Sequence, residues 1–100
     1  MALYYPHMIR SFACHETEKL FNDESSRRLL TQIQRVARRK LLLLHQARSL
    51  NDLRVPYGNR LEGLKDDRAG QQSIRLNDQW RVCFRWQDQD AFDVEIVDYH

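Results

Sequence analysis

Cysteine, proline and glycine are scarce in this chain, at two, two and three of its 100 positions. The two thiols, Cys14 and Cys83, form no Cys-x-x-Cys, and the four histidines, His7, His15, His45 and His100, are scattered along the chain. That spacing excludes a zinc site of the usual kind and leads us to expect reduced thiols and no metal or other cofactor. Long apolar runs are missing too. The longest, residues 41–44, falls far short of the roughly 20 residues that cross a bilayer. The opening MALYYPHMIR lacks the basic start, apolar stretch and small-residue cleavage site of a secretory signal, so we expect a soluble cytoplasmic protein with no membrane partner. With 42% hydrophobic and 30% charged residues the chain is neither disordered nor collagenous, and its length suits one domain. No internal repeat, glycine-rich phosphate loop or nucleophile elbow is present.

Charge is unevenly spread. Residues 1–50 hold nine basic against four acidic side chains, a balance of +5, whereas residues 51–100 hold seven against ten, or −3. Between positions 27 and 48, Arg27, Arg28, Arg35, Arg38, Arg39, Lys40 and Arg48 occur without an acid. A solvated helix face is one reading. An anionic partner, RNA or an acidic protein, is the other, because helices that only need solubility usually mix both signs.

Residues 1–7 read as an irregular extension ahead of a single domain over residues 8–100. Residues 9–13 alternate as a short strand would, and residues 17–21 suit one or two helical turns. Ser25 and Ser26 are N-cap candidates for a long helix, whose Leu30, Ile33, Val36, Ala37, Leu41 and Leu44 recur at spacings of three and four. Arg28, Arg35, Arg38 and Arg39 fall off that stripe. Pro56, Gly58 and Gly63 mark a connection with a helical turn near residues 49–53. Strand-like segments follow at residues 72–76, 80–86 and 92–99, separated by Asn77-Asp78-Gln79 and Gln87-Asp88-Gln89-Asp90, which predicts an antiparallel meander. The fold class is therefore α+β, an N-terminal strand and helices on one face of a mainly antiparallel sheet.

Alternation divides the strands. Ile74, Leu76, Trp80, Val82, Phe84, Trp86, Phe92, Val94 and Ile96 form the core set. Arg75, Arg81, Cys83, Arg85, Asp93, Glu95, Val97 and Tyr99 share the other, uncovered face, where function is sought; the plain alternative pairs Arg81 and Arg85 with Asp93 and Glu95 across the strands. Cleaving RNA without a metal needs a base for the 2′-hydroxyl, an acid for the leaving 5′-oxygen and cations for the scissile phosphate. His100 can move a proton either way near neutrality, and its α-carboxylate is a further base candidate. Tyr99 can stack on an unpaired base, while Arg81 and Arg75 offer forks for phosphate and Lys65 a point charge. Arg68 is a further RNA-binding candidate, although Asp67 and Arg68 beside Gly70 also read as a polar turn. His45 suits interaction with its helix C-terminus, and Cys83 a small packed residue rather than a nucleophile.

The stretches Asn59-Arg60-Leu61-Glu62-Gly63-Leu64-Lys65, Asp67-Arg68-Ala69-Gly70, Ser73-Ile74-Arg75-Leu76-Asn77-Asp78-Gln79-Trp80-Arg81-Val82-Cys83-Phe84 and Val97-Asp98-Tyr99-His100, with the opening Met8-Ile9-Arg10-Ser11-Phe12, resemble the HigB plasmid-maintenance toxins of the RelE/ParE superfamily. That resemblance implies a RelE-like, microbial-ribonuclease-like fold and a metal-independent endoribonuclease that cuts messenger RNA in the ribosomal A site. It also implies a HigA-like helix-turn-helix antitoxin as partner, with operator DNA reached only through the antitoxin. The family's terminal Asp, Tyr and His fall on Asp98, Tyr99 and His100, its strand arginine on Arg81 and its loop lysine on Lys65. Asp98 has core-facing parity and suits a role in holding the tail. Some members carry histidine where this chain has Glu62, so either a carboxylate acts as base there or His100 carries more of the proton transfer. Arg35, Arg38 and Arg39 are then expected to dock on ribosomal RNA through phosphates. The alternative is a toxin of the ParE kind, which inhibits DNA gyrase and cuts no RNA.

Overall fold

The computed structural model describes residues 8–26 and 31–98. The expected extension at residues 1–7, residues 27–30 with Arg27 and Arg28 of the basic run, and the tail residues Tyr99 and His100 lie outside them. Helices α1 (His15–Phe21) and α2 (Thr31–Gln46) pack on a four-stranded sheet of β1 (Glu62–Gly63), β2 (Gln72–Arg75), β3 (Trp80–Gln87) and β4 (Asp90–Asp98). Each strand runs antiparallel to its neighbour in the order β1-β2-β3-β4, so the meander is as the sequence reads. Among the described residues, no helix is long and apolar enough to cross a membrane.

Turn chemistry sets the hairpins. Asn77 Oδ1 accepts the N–H groups of Gln79 and Trp80, both at 2.8 Å, and closes the β2–β3 connection. Between β3 and β4, Asp88 and Gln89 both take left-handed backbone angles, with φ of 52° and 72°. Positive φ at both central positions is the mark of the type I′ two-residue hairpin turn, whose twist matches that of the strands.

One stripe of α2, Ile33, Ala37, Leu41 and Leu44, meets Ile74, Val82, Phe84, Val94 and Ile96, with Leu20 and Leu53 completing the cluster. Leu76, Trp80 and Trp86 pack at its border. Gln34 is also buried and donates to the Ser26 carbonyl at 3.0 Å, while the Ser26 hydroxyl donates to Glu16 at 2.6 Å. Between α1 and the sheet, the Ile96 N–H donates to the fully buried Thr17 hydroxyl at 3.0 Å.

A bulge corrects the parity of β4. Cys83 faces Glu95, but Arg85 faces Phe92, so one β3 residue opposes two of β4, and Asp93 sits at φ 54°. The extra residue moves Ala91 into the core and turns Phe92 away from it, against the core role that unbroken alternation gave Phe92. The N-terminal segment feels the same interruption. Ile9 and Phe12 make isolated parallel bridges to Ala91 and Val94 on either side of the bulge, where a continuous short strand was expected. Ser11 sits between them, its hydroxyl accepting the Asp93 N–H at 2.8 Å. His45 anchors this segment rather than its own helix terminus: Nδ1 accepts the Ile9 N–H at 3.1 Å, and the ring lies 5.1 Å from Phe21.

From α2 the chain crosses to the sheet through 3₁₀ turns at Leu50–Arg54 and Tyr57–Asn59, the first capped by Ser49. Asn59 is fully buried and ties this connection together. Its amide donates to the Leu53 and Val55 carbonyls at 3.1 and 3.4 Å, and its oxygen accepts from Lys40. Burial, with Arg39 adding to it, pushes the Lys40 ammonium below its usual range.

Candidate active site

The sheet face away from the helices is polar, and its centre is buried. Ser73 on β2 faces Cys83 on β3, which faces Glu95 on β4, and Glu62 on β1 faces Ser73. These four positions form one row across the sheet, and Arg81 stands two residues from Cys83 on the same side. Ser73, Arg81 and Cys83 have relative exposures of 0%, 9% and 0%, so this face is not simply uncovered. Arg60, Glu62 and Arg68, from the segment before β2, make contacts with it.

Arg81 is the most constrained of these groups. Its Nε donates to Ser73 Oγ at 2.7 Å, and its Nη2 donates to the Arg60 carbonyl at 2.6 Å and lies 3.6 Å from Glu62 Oε1. A guanidinium held by a hydroxyl, a carbonyl and a carboxylate keeps one orientation, which a flexible surface arginine does not. Arg68 closes the other end. From the 3₁₀ turn Asp66–Arg68 its Nη1 reaches Glu95 at 2.8 Å and Gln71 at 3.0 Å. Two arginines and two carboxylates therefore surround the Cys83 thiol. Its pKa is raised, chiefly by burial, against the opposing pull of Arg68 and Arg81. A thiol of that kind is a packed residue and not a nucleophile, as its mid-strand position suggested.

The cross-strand pairing expected for this face is half correct. Arg85 pairs with Asp93 at 3.4 Å, but Glu95 goes to Arg68 and Arg81 to Ser73 and Arg60, because the loop before β2 delivers partners that alternation along the strands cannot reveal. Arg75 lies opposite Arg81 in register, yet its guanidinium pairs with Asp78 in the next turn, away from the row. Lys65 is exposed at the start of the turn that carries Arg68, and makes no hydrogen bond or ion pair with another described side chain.

Asp98 keeps the parity read from the sequence, on the side of Ile96 and Trp80, but it lies at the end of β4. It is exposed opposite Trp80 and accepts from Gln79 at 3.0 Å. Val97, the residue before it, pairs with Arg81, so the strand leading into the tail runs beside the constrained guanidinium. Tyr99 and His100 are outside the described residues.

The basic helix is elsewhere. Arg35, Arg38 and Arg39 project from α2, which covers the opposite sheet face. Arg35 and Arg39 are exposed, while Arg38 pairs with Asp23 at 3.5 Å and donates to the Glu24 carbonyl at 3.0 Å. The structure thus brings together Arg81, Arg68 and the end of β4, and leaves the helix arginines as a separate surface. Sequence reasoning missed Ser73 and the Arg60 carbonyl as the arginine's supports. The parity of Ser73, shared with Arg75, was the available signal for the first, and a backbone acceptor leaves none.

Comparison with known proteins points one way. A family model described as the RelE-like toxin of the type II toxin-antitoxin system HigB matches residues 10–100, a span that includes every member of the polar row. Toxin HigB-1 of Vibrio cholerae serotype O1 is 40% identical to this chain over 72 residues, covering 71% of this chain and 76% of its own length.

Proposed function

We propose that this chain, which belongs to the family of RelE-like HigB toxins of type II toxin-antitoxin systems, halts translation by cutting messenger RNA in the ribosomal A site. The observation that carries the reading is Arg81, fixed by Ser73 and the Arg60 carbonyl on the sheet face that the helices leave free, beside the strand leading to Asp98, Tyr99 and His100. A donor oriented before substrate arrives suits the charge that builds on a phosphate in the transition state.

In this scheme the His100 imidazole takes the 2′-hydroxyl proton. The 2′-oxygen then attacks phosphorus, the bond to the 5′-oxygen breaks, and that oxygen takes a proton from water, whose hydroxide then discharges the imidazolium. Arg81 and Lys65 hold the pentacovalent phosphate, with Arg68 adding charge from the far end of the row. A bound phosphate replaces Glu62 as the counter-ion of Arg81. Tyr99 orients the substrate by stacking, and Asp98 holds the tail at the end of β4. The products are a 2′,3′-cyclic phosphate and a 5′-hydroxyl, and no metal enters any step.

The surrounding assignments follow. The protein acts in the cytoplasm on the translating ribosome, which Arg35, Arg38 and Arg39 engage through phosphates, and a HigA-like helix-turn-helix antitoxin restrains it and carries it to operator DNA. No observation favours the gyrase-directed alternative. Primer extension on a reporter message tests the reading, with wild type and His100→Ala, in a translating extract and in one freed of ribosomes. Cuts that need ribosomes and vanish with His100→Ala are expected. Intact message despite arrested growth would refute it.

A further inference from the structure

A groove of about 350 Å³ is lined by Arg54, Tyr57, Leu61 and Arg60, the residue whose carbonyl holds Arg81. We propose that it binds one unpaired nucleotide of the messenger next to the scissile phosphate, with Tyr57 stacking on the base and Arg54 and Arg60 holding the backbone. The inference rests on the ribonuclease reading and adds a substrate subsite to it.

Exposure and charge carry it first. Tyr57 is 90% exposed, the most open large hydrophobic side chain among the described residues, so its ring is offered to solvent and not to the core. Arg54 and Arg60 are exposed on the same wall, and among the described residues no carboxylate pairs with either. An open aromatic ring flanked by two free guanidinium groups is the combination that single-stranded nucleic acid requires, a stacking surface with cations for phosphate.

The support is rigid. Tyr57 begins the short turn that ends at Asn59, whose buried amide binds the Leu53 and Val55 carbonyls and whose oxygen accepts from Lys40. The backbone that carries the ring is thus tied to the interior, which lowers the cost of ordering the loop on binding.

Continuity with the reacting centre is direct. Arg60 takes a left-handed backbone conformation, φ 46° and ψ 56°, unusual for a residue with a side chain. In that conformation its carbonyl receives Arg81 Nη2 at 2.6 Å, while its own side chain lines the groove. The chain then runs through Leu61 to Glu62, 3.6 Å from the same guanidinium. One segment thus forms the groove wall and the Arg81 support, and that shared segment is the ground for placing the nucleotide next to the scissile phosphate in the groove. The volume lies within the ~300–1,000 Å³ of small-molecule sites, enough for one nucleotide.

The test is single-turnover cleavage on ribosomes programmed with messages that differ only at the nucleotides beside the cut, comparing wild type, Tyr57→Ala, Tyr57→Phe and Arg54→Gln. Tyr57→Ala is expected to lower kcat/KM by about five- to hundredfold and to narrow the spread among messages, as loss of one stacked base does. Tyr57→Phe keeps the ring and should recover most of the cleavage and of the message preference that Tyr57→Ala loses, and Arg54→Gln should weaken all messages alike. Because Tyr57 is exposed, its replacement should leave thermal unfolding unchanged. Full cleavage by Tyr57→Ala with an unaltered message preference overturns the subsite and leaves the nuclease reading standing. Full cleavage with lost antitoxin binding also overturns it and makes the groove a protein-docking surface. Absence of cleavage by the wild type overturns the ribonuclease reading, and the subsite falls with it.

Discussion

On the sheet face beneath the helices, Ile74, Val82, Phe84, Val94 and Ile96 meet Ile33, Ala37, Leu41 and Leu44. On the other face, Ser73, Arg81, Cys83 and Glu95 from the same three strands meet one another, Glu62 of β1 and the residues that flank it before β2. Both faces are closed at their centres, but by different forces. The first is closed by apolar burial, which is non-directional and tolerates exchanges that conserve volume. The second is closed by charge-assisted hydrogen bonds, each needing its partner at a set distance, and removing one partner leaves a costly unsatisfied group. A nearly buried arginine persists where three acceptors surround it, and that arrangement is what a phosphate-binding group needs.

Substitutions on each face should sharpen the contrast. Phe84→Ala on the helix side should lower stability by about 3–5 kcal/mol in denaturant unfolding, because the cavity cannot collapse among packed neighbours. On the polar side, Arg81→Ala should reduce message cleavage by about 10²–10³-fold. Arg81→Lys should not restore it, since an ammonium cannot span Ser73 and the Arg60 carbonyl together. Between the layers, Thr17→Val should cost about 1–3 kcal/mol by orphaning the Ile96 N–H, measurable in the same unfolding assay. Replacing Arg35, Arg38 and Arg39 together by Gln should leave the unfolding midpoint near wild type. It should also flatten the salt dependence of ribosome binding, by about one in logarithmic slope for each phosphate that the helix no longer neutralises. The smallest effect concerns the thiols: Cys83, buried and with its pKa raised, should resist alkylation in the folded protein under conditions that label the half-buried Cys14.

Much of this contrast was legible in the residue order. The three-and-four spacing along α2 and the period of two in β2 and β3 name the apolar layer, because one side of each element must leave water. The family was legible through Asn59 to Lys65, the strand around Arg81 and the closing residues. Three features escaped for physical reasons. The bulge at Asp93 shifts the phase of β4 at a residue with no glycine or proline to announce it, and so misplaces Phe92. Partners of Arg81 and Arg68 come from a loop whose path alternation does not describe. The helix arginines share the positive charge of Arg68 and Arg81 but lie on the far side of the sheet, since charge counted along the chain carries no direction.

The most direct measurement places the two surfaces in one assay: cleavage of a reporter message by translating ribosomes, with Arg81→Ala compared against the triple Arg35, Arg38 and Arg39 to Gln variant at saturating toxin. Arg81→Ala should bind ribosomes and fail to cut, while the triple variant should cut at close to the wild-type rate once binding is saturated. Full cleavage by Arg81→Ala, or cleavage lost only when the helix is neutralised, would contradict a ribonuclease site on the helix-free face of the sheet.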